Sequence, residues 1–94
     1  MRKYETMFIL DPDITEEQVN STVDRVKSII ENQNGEIESV DLGGIKKLAY
    51  EINKKNEGYF VLINFRSSED VPKELYRNFK IMDFVIRDII VKKN

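Results

Sequence analysis

The sequence predicts an α+β sandwich, a four-stranded antiparallel sheet with two helices packed on one of its faces. Four stretches read as strands from alternation or β-branched content, and two others carry apolar residues at helical spacing. Their order is strand, helix, strand, strand, helix, strand. Nothing between them reads as a linker or low-complexity tract, so one domain over residues 1–94 is expected.

The opening strand, YETMFILDP, places Tyr4, Thr6, Phe8 and Leu10 on one side and Glu5, Met7 and Ile9 on the other. Asp11-Pro12-Asp13 stops it. Thr15 then begins a helix as N-cap, with Gln18 three residues on to complete a capping box and Ile14 set to staple onto Val19. Val19, Val23, Val26 and Ile30 form the buried stripe of that helix. Asn34-Gly35 ends it, with the glycine expected in the left-handed position past the cap.

EIESVDLGGIKKLAYEI follows as a long extended stretch, in which Gly43-Gly44 marks a bulge or bend. The NKKNEG turn reverses the chain into YFVLINF, with Val61, Ile63 and Phe65 facing the helices. RSSEDVPKE starts the second helix, and Val71, Leu75, Phe79 and Met82 make its apolar stripe. FVIRDIIVKK is the last strand. Two βαβ-like halves with right-handed crossovers then give the ferredoxin-like fold.

Composition narrows the function. The chain has no histidine and no cysteine, which removes the usual metal ligands, the commonest general base and any disulfide framework. No apolar run reaches the roughly 18–20 residues of a membrane span. The opening MRKYETMFIL reads as a strand rather than a signal peptide, and a cytoplasmic setting is expected. An enzyme is not expected, nor is any metal or cofactor.

The net charge of −2 is unevenly spread. Residues 11–39 hold eight acids against Arg25 and Lys27, a block of −6, which leaves the other 65 residues at +4. The molecule is polarised.

Three places are candidates for function. GYFVLINF half matches the RNA-binding octamer of RRM domains, whose aromatics two residues apart stack on bases. Here Phe60 stands where a small residue belongs, Val61 takes the second stacking position, and Glu57 replaces the basic residue, so the motif fails where its chemistry lies. The loop DPDITEE precedes a helix N-terminus, where acylphosphatase of this fold binds phosphate. Asp11, Asp13, Glu16 and Glu17 occupy that field and would repel an anion. Capping accounts for it.

The third is a basic set: Arg2 and Lys3 at the first strand, Lys46, Lys47, Lys54 and Lys55 bracketing the second, and Arg87, Lys92 and Lys93 on the last. Alternation separates Lys46 from Lys47. Two readings fit these residues. They are either phosphate contacts that position the protein on RNA, or lysines that blunt sheet edges against aggregation.

MRKYETMFILDPDI, GGIKKLAYEINKKNEGYFVLINF and IMDFVIRDIIVKK together resemble the bacterial small-subunit ribosomal protein six family, over Arg2 to Lys92. The most specific part is the basic-basic-Leu-Ala-Tyr-x-Ile-x-Lys segment from Lys46 to Lys54, with Gly58-Tyr59 beyond it. The resemblance implies a non-catalytic ribosomal component that binds central-domain small-subunit ribosomal RNA with ribosomal protein eighteen as a heterodimer. It also implies an acidic chain that leans on a basic partner.

Arg2 and Tyr4 match the family's opening motif, and Lys54 and Arg87 match basic positions. Lys46 and Lys47 stand where many members have arginine, so charge is kept but the bidentate fork is absent. Glu51 replaces a common proline, and Gly43-Gly44 a single glycine. The expected RNA contacts are thus Arg2, Lys3, Lys46, Lys47, Lys54, Lys55, Arg87 and Lys92. Met7, Ile9, Phe60 and Leu62 face away from the helices and form the expected docking surface for protein eighteen. No membrane or small-molecule partner is expected. The alternative is a ferredoxin-like regulatory or oligomerisation module without RNA binding.

Overall fold

The computed structural model describes residues 1–52 and 54–93. Its elements are β1 (Arg2–Leu10), α1 (Glu16–Asn32), β2 (Glu36–Ile52), β3 (Lys55–Ser67), α2 (Asp70–Phe79) and β4 (Val85–Lys93). The strands form one sheet in the order β2-β3-β1-β4, with all neighbours antiparallel. Each helical crossover skips one strand, which is the expected ferredoxin-like arrangement.

Alternation decides which face is core. Tyr4, Thr6 and Phe8 of β1 pair with Phe65, Ile63 and Val61 of β3, and all six are buried. They meet Val19, Val23, Val26 and Ile30 of α1, and Val71, Leu75 and Phe79 of α2 with Met82 just beyond. Tyr4 and Phe65 stack across neighbouring strands at 5.6 Å between centroids, and Phe8 with Phe79 at 5.1 Å ties the sheet to α2. Thr6 is the polar intruder, its Oγ1 buried with no hydrogen-bond partner among the described residues.

The capping box at the start of α1 forms as its sequence predicts. The Gln18 amide donates to Thr15 Oγ1 at 3.1 Å, and the Thr15 amide donates to Gln18 Oε1 at 3.0 Å. Such caps stabilise a helix by about 1 kcal/mol. Ile14, just before the cap, packs against the core that contains Val19.

The other end of α1 differs from expectation. Asn34, not Gly35, takes the left-handed conformation, at φ 65°. The Gly35 amide donates to the Ile30 carbonyl at 2.9 Å and the Asn34 amide to the Glu31 carbonyl at 3.0 Å, the two bonds of a Schellman motif. Asparagine tolerates this conformation better than most residues. The glycine is needed for a different reason, since a Cβ on Gly35 would lie 2.6 Å from Ile30 Cγ2 and 2.7 Å from the Ile30 carbonyl oxygen.

Strand β2 slips its register against β3 at three places. One is the expected glycine pair, where Gly44 has φ 77°. The third slip is the widest: β2 takes five steps from Lys47 to Ile52 while β3 takes two from Lys55 to Glu57. Residues 48–51 therefore bulge out of the ladder. Lys54 turns the hairpin with φ 65°.

Candidate nucleic-acid interface

Because Tyr4, Thr6, Phe8 and Leu10 point into the core, the odd-numbered residues of β1 occupy the open face. Register then lays that face out in rows across β3, β1 and β4. The first row is Arg66, Lys3 and Lys93, and the second is Asn64, Glu5 and Val91. The third is Leu62, Met7 and Ile89, and the fourth is Phe60, Ile9 and Arg87. Lys46 of β2 sits beyond them, opposite Gly58. An apolar band thus crosses the middle of the face, with cations toward both ends.

The basic residues singled out in the sequence separate accordingly. Lys46, Lys47, Lys54, Lys55 and Arg87 lie at the hairpin end. Arg2, Lys3 and Lys92 lie at the other, about 20 Å away along six residues of strand. Lys46, Lys47 and Lys54 are exposed and make no ion pair among the described residues. Lys55 is different. Its Nζ lies 2.8 Å from Asp13 Oδ2 and 4.0 Å from Asp11 Oδ1. The hydrogen bond to Asp13, then the charges of Asp11 and Asp13, raise its pKa above the ordinary lysine value. That ammonium is already engaged with the acidic loop before α1.

At the far end, Arg2 Nε bridges to Glu69 at 2.8 Å, with both side chains well exposed. Lys92 is in register with Tyr4 and so lies on the helix side of β4, not with Lys3. Lys3 instead has Arg66 and Lys93 as neighbours. Lys93 Nζ is 3.2 Å from Asn64 Oδ1 and 3.6 Å from Glu5 Oε2. Arg66 was not recognisable as part of this set from sequence, because only strand register puts it beside Lys3.

Among the expected docking residues, Met7, Phe60 and Leu62 are half-buried on the open face. Ile9 departs from expectation, at 5% exposure. It faces the predicted side of the sheet, but the bulge at 48–51 leans over it: Leu48, Tyr50 and Arg87 enclose the same recess as Ile9 and Phe60. Gly58 closes in from β3, where a Cβ would lie 2.3 Å from Ile9 Cγ2. The exposed apolar surface instead extends to Ile89 and Val91 of β4, at 40% and 49% exposure.

Two cation–aromatic contacts mark the hairpin end. Lys46 Nζ stands 5.9 Å from the centroid of the Phe60 ring, and the Arg87 guanidinium 5.5 Å from that of Tyr50. Tyr50 was not singled out from sequence. Its position in line with Leu48 and Ile52 reads as ordinary strand alternation, and the bulge breaks that alternation.

Comparison with known proteins gives one consistent result. The family described as Ribosomal protein S6 matches residues 3–92. A small ribosomal subunit protein bS6 of Clostridium acetobutylicum is 55% identical over 91 residues, covering 97% of this chain and 96% of the relative. One from Clostridium perfringens is 53% identical over 93 residues, covering 99% and 98%. The crystal structure of 30S ribosomal protein S6 from Thermotoga maritima superposes with a TM-score of 0.92 at 39% identity, covering 98% of this chain and 87% of that one.

Proposed function

The chain belongs to the ribosomal protein S6 family, whose members are structural proteins of the small ribosomal subunit and not enzymes, and from that premise we propose that it binds central-domain small-subunit ribosomal RNA jointly with ribosomal protein eighteen. It does so as one ferredoxin-like domain. The observation that supports this reading is the open face itself, an apolar band of Leu62, Met7 and Ile89 lying between cations at both ends. The band suits a protein partner, and the cations suit phosphates.

A chain of net charge −2 has little attraction for RNA at long range. Its local cations contribute best when a basic partner holds it against the RNA. Lys46, Lys47, Lys54 and Arg87 at the hairpin end, and Lys3 beside Arg66 at the other, are the open-face phosphate contacts of this reading. Arg2 and Lys92, on the helix side of the same end as Lys3, meet phosphate only from around the sheet edge. Lys55 contributes least, since Asp13 already holds it.

Two variants test the two surfaces separately. Lys46→Glu/Lys54→Glu is expected to weaken binding to a central-domain RNA fragment about 100-fold in the presence of protein eighteen, because it removes two charge-assisted hydrogen bonds to phosphate. Filter binding at fixed salt reads this, and unchanged affinity would return the lysines to edge protection alone. Leu62→Lys puts an ammonium in the apolar band and is expected to weaken association with protein eighteen about tenfold or more. Leu62 is half-exposed, so the fold should persist with an unchanged circular dichroism spectrum. Undiminished heterodimer formation by that variant would remove the open face as the docking surface.

A further inference from the structure

We infer that Tyr50 is a stacking platform for an unpaired RNA base, at the wall of a recess whose lining includes the cations Lys47 and Arg87. The inference rests on the RNA-binding reading above and adds to it the kind of nucleotide that the hairpin end receives. Tyr50 is 60% exposed on the bulge of β2, an unusual place for a ring that could have been buried. It is not loose there. The Arg87 guanidinium of β4, 5.5 Å from its centroid, meets the ring from the opposite edge strand of the sheet. A ring already positioned has less freedom to lose when a base stacks on it.

The recess beside it has a volume of about 180 Å³. Ile9 and Phe60 line it from the sheet, Leu48 and Tyr50 are among the β2 residues that line it from the bulge, and Lys47 and Arg87 are its two cations. Lys46 stands above the Phe60 ring. Apolar and aromatic walls take the flat face of a base, while the cations take the phosphates on either side of it. Protein recognition of single-stranded RNA uses this combination, stacking on aromatic rings or guanidinium planes with charge along the backbone. An apolar protein side chain would fill the walls but would leave the cations without a counterpart. The charge pattern therefore favours a nucleotide. The central strands offer no equivalent, because Val61 and Ile63 are fully buried on the helix side.

The test compares wild type, Tyr50→Phe and Tyr50→Leu for binding to the central-domain RNA fragment with protein eighteen present, across a salt series. Phe keeps the ring and is expected to bind within about twofold of wild type, whereas Leu is expected to bind about 10- to 100-fold more weakly. The salt slope should be the same in all three, since every cation stays in place. The chain has no tryptophan, so Tyr50→Trp supplies a lone reporter whose fluorescence should be quenched when RNA is added. If Tyr50→Leu binds as wild type does while wild type binds well, the stacking platform is overturned and the RNA-binding reading stands. If wild type itself does not bind, both fall. If Tyr50→Leu weakens association with protein eighteen in the absence of RNA, the recess takes a protein side chain and the inference is wrong.

Discussion

Phe8→Ala is expected to lower the free energy of unfolding by about 3–5 kcal/mol. Phe8 has no exposed surface and sits at the meeting point of β1, β3 and α2. Its ring lies 5.1 Å from that of Phe79 and opposite Val61 in the ladder. Removing it takes away the transfer energy of an aromatic ring and leaves a cavity that two layers of secondary structure would have to collapse to fill. For a domain whose total stability is typically about 5–15 kcal/mol, this is a large share. Urea unfolding would show it as a lower midpoint with an unchanged slope. Phe8→Leu, which keeps most of the volume, should be far milder. A decrease below about 1 kcal/mol for the alanine variant would mean that the helices do not pack on this face as described.

Gly35→Ala is expected to cost about 3 kcal/mol, although alanine is the mildest side chain that could be added. The reason is space, since Gly35 is not in the left-handed region. The new Cβ would meet Ile30 Cγ2 at 2.6 Å and the Ile30 carbonyl oxygen at 2.7 Å, with the Arg66 carbonyl oxygen at 3.3 Å. Ile30 is fully buried and its carbonyl already accepts the Gly35 amide, so neither can retreat cheaply. Relief requires opening the Schellman motif that joins α1 to β2. Thermal unfolding of the variant should show a lower midpoint, and an unchanged midpoint would indicate that the end of α1 is looser than this geometry requires.

Much of this fold was legible in the sequence because local signals and global burial agree. Thr15 and Gln18 announce the start of α1 and form the cap. Phe8 and Val61 alternate into the core where period two puts them. Gly43-Gly44 marks a real slip of register. The misses have physical causes. At Asn34-Gly35 both residues can adopt the left-handed conformation, and only the proximity of Ile30 decides which one must lack a side chain. The bulge at 48–51 carries no glycine or proline, so nothing in LAYE signals that the alternation of β2 stops there. That one event buries Ile9 and places Tyr50 beside Arg87.

The candidate interface was legible in its residue types but not in its layout. Sequence position groups Lys46 with Lys47 and Lys54 with Lys55, whereas the fold draws Lys55 to Asp13. It groups Lys92 with Lys93, whereas strand alternation sends them to opposite faces. The row of Arg66, Lys3 and Lys93 joins residues from three strands, and no local pattern could have assembled it.

The measurement that bears most directly on joint RNA binding is the affinity of the purified protein for a central-domain RNA fragment, with and without protein eighteen, as salt is varied. Tight binding is predicted only with the partner, with log K falling linearly against log salt. The Lys46→Glu/Lys54→Glu variant should show a shallower slope, lower by about one unit for each phosphate that its lysines no longer neutralise. Binding that is absent with the partner, or whose slope is unaffected by that variant, would contradict the proposed role of the hairpin-end cations.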